Sequence, residues 1–220
     1  MSPHGRRRVR RAGIRDVEPS VVASAFGYFN PALVEQLWNA GREVVAPREA
    51  GRADMACSAQ FGRARFADAP GLEAFCVAAG AVNDAADPVG LALSSGIRAE
   101  RLEDPPARAM QLITVLREFR GSAHRVAVRA SGLDACTAHF LRRPGDMGML
   151  GWGPEDTPVV TDDERVKLDA AEELTDRMVP PAYSLLHAQG AAALLDGLQA
   201  LEAVLQVGWG AGVSWVVAPA

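Results

Sequence analysis

Lysine is almost missing from this chain: of 23 basic residues, Lys167 alone is not arginine. Long apolar runs are missing too. No stretch approaches the roughly 18 consecutive apolar residues of a membrane-spanning helix. No apolar segment with a small-residue cleavage site follows the N-terminus, so a secretory leader is not expected either. The three cysteines, Cys57, Cys76 and Cys136, lie 19 and 60 residues apart. An odd number without C-x-x-C spacing argues against a disulfide framework and for a reducing compartment, so a cytoplasmic location is expected. No glycine-rich phosphate loop occurs, because the glycines at 208, 210 and 212 follow a helical stretch rather than a strand. Nucleophile elbows and ordered triads are absent as well.

What is present is an ordinary globular balance, 49% hydrophobic and 23% charged residues. Charge is unevenly spread. The formal net charge is −4, and the first 15 residues hold six arginines and no acid, which leaves −10 on the rest of the chain. An acidic body does not favour nucleic acid, since that binding draws most of its affinity from Lys and Arg neutralising phosphates. The basic segment 1–16 reads as a disordered tail, with contact to nucleic acid or an acidic partner as the alternative.

Apolar spacing predicts helices nearly throughout, an all-α bundle. The first stripe is Val22, Ala25, Phe26 and Phe29, within Val17 to Phe29. Asn30-Pro31 has the chemistry of a helix start, and the next stripe (Leu33, Val34, Leu37, Trp38) would stop near Gly41. Pro47 and Gly51 are expected to break residues 43–66. Leu72, Phe75, Cys76 and Ala79 form another stripe, ended by Gly80 or Asp87-Pro88. After Pro105-Pro106, Leu112, Ile113, Leu116 and Phe119 share one face up to Gly121, a candidate helix C-cap, with Ser122 capping a further helix. Leu133 to Leu141 follows after Gly132. Gly and Pro crowd residues 144–160, the expected joint between a pocket domain (17–143) and a C-terminal segment (161–220). There Thr161 and Glu164 form a capping box, and Pro180-Pro181 stops that helix. A leucine stripe from about Ala191 to Val207 follows, then a strand-like or flap-like tail, Gly212 to Val217. The stripe and the tail together raise the option of a homodimer seam.

The densest polar cluster runs from Arg117 through Glu118, Arg120 and Ser122 to His124, and then to Asp134. Arginines beside a helix start at Ser122 would favour an anion, and His124 would act as acid or base, or hydrogen-bond a ligand. The plain alternative is surface ion pairs and a packing histidine. Tyr28, beside the Asn30-Pro31 break, would hang its hydroxyl into the same cavity, with Leu112, Leu116, Phe26 and Trp38 covering apolar ligand surface. His124, Cys136 and His139 do not have zinc-ligand spacing, so no metal is expected. The cofactor is left open.

Leu116-Arg117-Glu118-Phe119-Arg120-Gly121-Ser122-Ala123-His124 followed by Gly132-Leu133-Asp134 resembles the central pattern of the actinobacterial SCO-type helix-turn-helix family, L-R-E-H-R-G-D-G-H and then G-L-D. Tyr28 to Val34 is similar to that family's aromatic and Pro-Ala-Leu-Val helix, so the likeness covers about residues 20–142. Thr161 to Pro181 is similar to the end of the family's winged-helix segment. Phe119, Ser122 and Ala123 stand where the family has His, Asp and Gly, and most of the winged helix is replaced by the Gly/Pro stretch. The resemblance therefore implies a helical bundle with a vestigial winged-helix-like C-terminal part. The arginine bias agrees with an actinobacterial, GC-rich source. Three functions stay open: a small-molecule-binding protein of specialised metabolism, a cyclase-, isomerase- or lyase-like enzyme using His124 and the arginines, and a DNA-binding regulator.

Overall fold

The computed structural model describes residues 17–97 and 101–208. Within them lie nine α-helices and no strand, an all-α bundle. They are α1 (Pro19–Phe26), α2 (Pro31–Val44), α3 (Pro47–Phe66), α4 (Leu72–Ala85), α5 (Ala92–Ile97), α6 (Pro105–Ala130), α7 (Ala135–Arg142), α8 (Asp162–Met178) and α9 (Ala188–Gly208). The Arg-rich segment and the Gly212 to Val217 tail lie outside the described residues.

Local chemistry sets most helix starts. Asn30 Oδ1 accepts the Ala32 N–H at 2.9 Å and Pro31 opens α2, whose end lies at Val44, past Gly41. Thr161 and Glu164 close the reciprocal capping box of α8. Two expectations fail. Pro47 starts α3 rather than breaking it, because a first-turn residue has no N–H to lose, and Gly51 is absorbed within the helix. Gly121 and Ser122 do not separate two helices. Instead α6 runs unbroken for 26 residues through both. A helical glycine costs about 1 kcal/mol, and burial of Phe119, Ser122, Ala123, Ala127 and Val128 around it outweighs that.

The chain forms two compact units, each built from separated stretches. Among the described residues, the first comprises 17–54, 88–97 and 118–180, and the second 55–87, 101–117 and 181–208. Residues 144–160, read from sequence as a joint, form three short 3-10 turns that stay within the first unit. The second unit's core centres on Phe66, Phe75, Leu112, Leu194 and Leu201, so α9 spends part of its leucine stripe on its own chain while Leu195 and Leu198 stay exposed. In the first unit Ala127, Val128, Leu133, Ala138, Leu168 and Ala171 form the core. No helix among the described residues is long and apolar enough to cross a membrane.

Candidate functional site

The second half of α6, the turn 131–134 and α7 make a helix-turn-helix. Gly132 takes φ 76°, and the helix ends as its own N–H reaches Arg129 O (3.2 Å) while the Leu133 N–H reaches Val128 O (3.1 Å). Asp134 then caps α7, accepting the Thr137 N–H on Oδ1 at 2.9 Å and the Thr137 hydroxyl on Oδ2 at 2.6 Å. Such motifs join two helices through three or four residues, often with a glycine among them. In many, the second helix is laid on DNA. Here Thr137 and Ala138 of α7 are buried. Its exposed Arg142 is engaged by Glu172 at 2.6 Å.

Glu172, on α8, gathers an ion cluster. Arg142 holds Oε1, Arg120 Nη2 holds Oε2 at 3.3 Å, and His124 Nε2 stands 3.9 Å from Oε1. The buried Thr175 hydroxyl donates to Ala171 O at 2.7 Å, so its one proton is committed. The 2.9 Å contact between His124 Nδ1 and Thr175 Oγ1 must therefore use the imidazole Nδ1–H as donor, which leaves the lone pair of the neutral ring on Nε2. Burial keeps His124 neutral further into acid than a free imidazole, since its pull outweighs the opposing effect of Glu172, and the nearby arginines act the same way as burial. His139 is held down by burial as well.

A pH dependence follows. Both imidazoles bind a proton less readily folded than unfolded, so protons favour the unfolded chain, and stability is lost as pH falls through the ordinary value of 6.5. The melting temperature is expected to be lower at pH 5.5 than at pH 7.5, and His124→Asn should flatten that slope. A melting temperature that is constant or rises toward pH 5.5 would contradict the assignment.

A cavity of about 880 Å³ opens in the first unit, between α1, the start of α2, α5, the second half of α6 and the start of α7. Its wall is largely apolar, with Phe29, Leu93, Val126 and Trp152 among the larger side chains. Trp152 Nε1 donates to Tyr28 O at 2.8 Å, which ties the 3-10 turns to the loop before α2. Tyr28 lines the cavity and packs its ring against His139, with centroids 5.5 Å apart. Burial pushes its phenol up to about 12. Arg125 is part of the wall. Its Cδ lies too close to where a Cβ on Gly27 would sit for both to fit unmoved, and its Nη2 donates to the buried Ser122 hydroxyl at 2.9 Å. The φ of 74° at Gly27 is what favours glycine there, and a larger residue would also have to displace the Arg125 side chain.

The residues singled out from sequence therefore divide. Tyr28, Ser122 and Asp134 reach the cavity wall, although Ser122 sits inside a helix rather than at an anion-binding start and Asp134 is spent on its cap. His124 and Arg120 belong to the Glu172 cluster, off that wall. Glu118 lies on α6 in the first unit but not on the cavity, while Arg117, Leu112 and Leu116 fall in the second unit. Phe26 and Trp38 do not line the cavity. Arg125, Arg129 and Trp152 were missed. The i, i+4 spacing of the two arginines on one face of α6 was the available signal. Among the described residues no group of three or more His, Cys, Asp or Glu gathers as a metal site would.

Residues 7–150 match the helix-turn-helix family. The chain belongs to that family. No curated protein and no solved structure matches it. The matched span includes every cavity-lining residue except Trp152 and stops before α8, so Glu172 and Thr175 lie beyond it.

Proposed function

We propose that this helix-turn-helix family member is a small-molecule-binding protein whose ligand occupies the cavity of the first unit. The observation that carries this reading is the cavity itself. Its volume of about 880 Å³ falls in the range of ligand sites, roughly 300–1,000 Å³, and such sites pair a mainly apolar wall with a few polar groups. The arrangement of α7 supports it further, because its N-terminal residues Ala135 and Cys136 face the cavity instead of standing free for a DNA groove. The Leu116 to His124 pattern and the use of arginine for lysine support a place among the family's actinobacterial members. There such a cavity would serve a specialised-metabolite pathway.

Val126→Trp tests the reading, since position 126 is on the cavity wall yet 41% exposed and tolerates a larger side chain. Wild type is expected to bind the neutral fluorophore N-phenyl-1-naphthylamine saturably, and the variant to bind it at least roughly tenfold more weakly, a loss of about 1.4 kcal/mol, with an unchanged circular dichroism spectrum. No saturable binding by wild type, or equal binding by both, removes the proposal.

Family membership favours a second reading, DNA binding through the helix-turn-helix of α6 and α7. It predicts that the full chain retards a duplex, with affinity falling steeply as salt rises. An enzymatic role for His124 has less support, because its Nε2 faces Glu172 rather than the cavity.

A further inference from the structure

Resting on that ligand-binding reading, we infer that the cavity takes an uncharged, largely aromatic compound bearing a carbonyl group, with the Tyr28 hydroxyl donating a hydrogen bond to the carbonyl oxygen. The first observation is which polar groups of the wall are already committed. The Trp152 N–H is held by Tyr28 O, and the Cys136 thiol donates to Asp156 O at 3.9 Å. Ser122 accepts from Arg125, and both Asp134 oxygens are taken up by Thr137. Ser20 and Ser24 are exposed on α1 and face solvent. The Tyr28 hydroxyl is different. Among the described residues it makes no hydrogen bond, although the side chain is half-buried and its ring is packed on His139.

That hydroxyl keeps its proton. Burial pushes the phenol up to about 12, and of the charges that act on it, Arg125 of the same wall opposes that rise most. A phenol is a better donor than acceptor, because the ring draws on the oxygen lone pairs, so the group it meets best is an sp² oxygen. An apolar body that covers this hydroxyl without accepting from it forfeits the bond a phenol otherwise makes to water. A carbonyl restores that bond.

The second observation is the rest of the wall. Phe29, Trp152 and the Tyr28 ring offer aromatic surface, with Leu93 and Val126 beside them. Flat rings packed on such surface gain more than area burial alone supplies. Charge selects no ion here: Arg129 and Asp134 carry opposite signs on the same wall, and Arg125 is already engaged. An ionised group would give up its water without a net opposite charge to meet, so the fitting ligand is uncharged.

The test titrates two uncharged naphthalene dyes into the full chain: 6-propionyl-2-dimethylaminonaphthalene, which carries a ketone, and N-phenyl-1-naphthylamine, which has none. Wild type is expected to bind the ketone saturably. Tyr28→Phe should weaken that binding roughly fivefold, the scale of one neutral hydrogen bond, and leave N-phenyl-1-naphthylamine unchanged. The emission of the bound ketone should also move to shorter wavelength in the variant, since a hydrogen bond on the carbonyl lowers its excited state. Phenylalanine keeps the ring on His139 and the backbone carbonyl that holds Trp152, so the variant should melt with wild type. Anionic 8-anilinonaphthalene-1-sulfonate should bind no more tightly than its uncharged counterpart. A ketone that fails to bind or binds Tyr28→Phe equally well, or a loss shared equally by both uncharged dyes, overturns recognition by the hydroxyl. A tighter sulfonate overturns the uncharged ligand. Each of these results leaves the ligand-binding reading standing, whereas failure of wild type to bind any of the dyes displaces the two together.

Discussion

Phe75→Ala is expected to destabilise the second unit by about 3–5 kcal/mol, the range for emptying a fully enclosed phenylalanine site. Phe75 is completely buried, and Gly197 of α9 lies so close that a Cβ there would meet Phe75 Cβ at 2.5 Å and ring atoms at 2.8 and 2.9 Å. Glycine at 197 lets α9 close onto the ring, so removing the ring opens a void that neither helix can fill by rotamer change. The loss adds forfeited contacts to lost burial. Urea denaturation should show a lowered midpoint for the second unit. A change under 1 kcal/mol would mean that α4 and α9 collapse onto each other far more readily than close-packed helices do.

Two glycines of α3 should respond with opposite signs to the same substitution. Helix propensity alone makes Gly→Ala favourable by about 1 kcal/mol. At Gly51 nothing lies within 4 Å of the added methyl, so Gly51→Ala should gain about that much. At Gly62 the methyl would stand 2.5 Å from Pro106 O and 3.0 Å from Met110 Cβ, and a backbone carbonyl in a helix cannot swing aside. Overpacking costs about 1–3 kcal/mol or more. The clash wins, and Gly62→Ala should lower stability despite the better helix former. Equal stabilisation at both positions would show that propensity decides and that α6 shifts at little cost.

How far the sequence could be read depended on the range of the forces involved. Asn30-Pro31, Thr161 with Glu164, and the Gly132 turn were legible because each cap is satisfied within three or four residues. Gly121-Ser122 carries the same chemistry and misleads, because distant burial overrides a local cost near 1 kcal/mol. Pro47 shows the complement: the residue type is plain, but whether it opens or breaks a helix depends on the turn before it. The candidate site was legible only in part. Tyr28, Ser122 and Asp134, singled out from sequence, line the cavity, yet the wall also draws on Leu93, Arg125 and Trp152, and no short-range rule brings residues 28, 93, 125 and 152 together. The polar cluster around His124 was conspicuous in the chain, and its partners Glu172 and Thr175 lie 48 and 51 positions further on.

The indole of Trp152 has a use beyond its hydrogen bond. The chain holds four tryptophans, and this one borders the cavity with its N–H fixed on a backbone carbonyl. A fluorophore clamped at a binding surface reports on whatever displaces solvent beside it. Occupancy should therefore change the protein's own ultraviolet emission, and a Trp152→Phe variant should silence that signal, giving an optical readout without any added label.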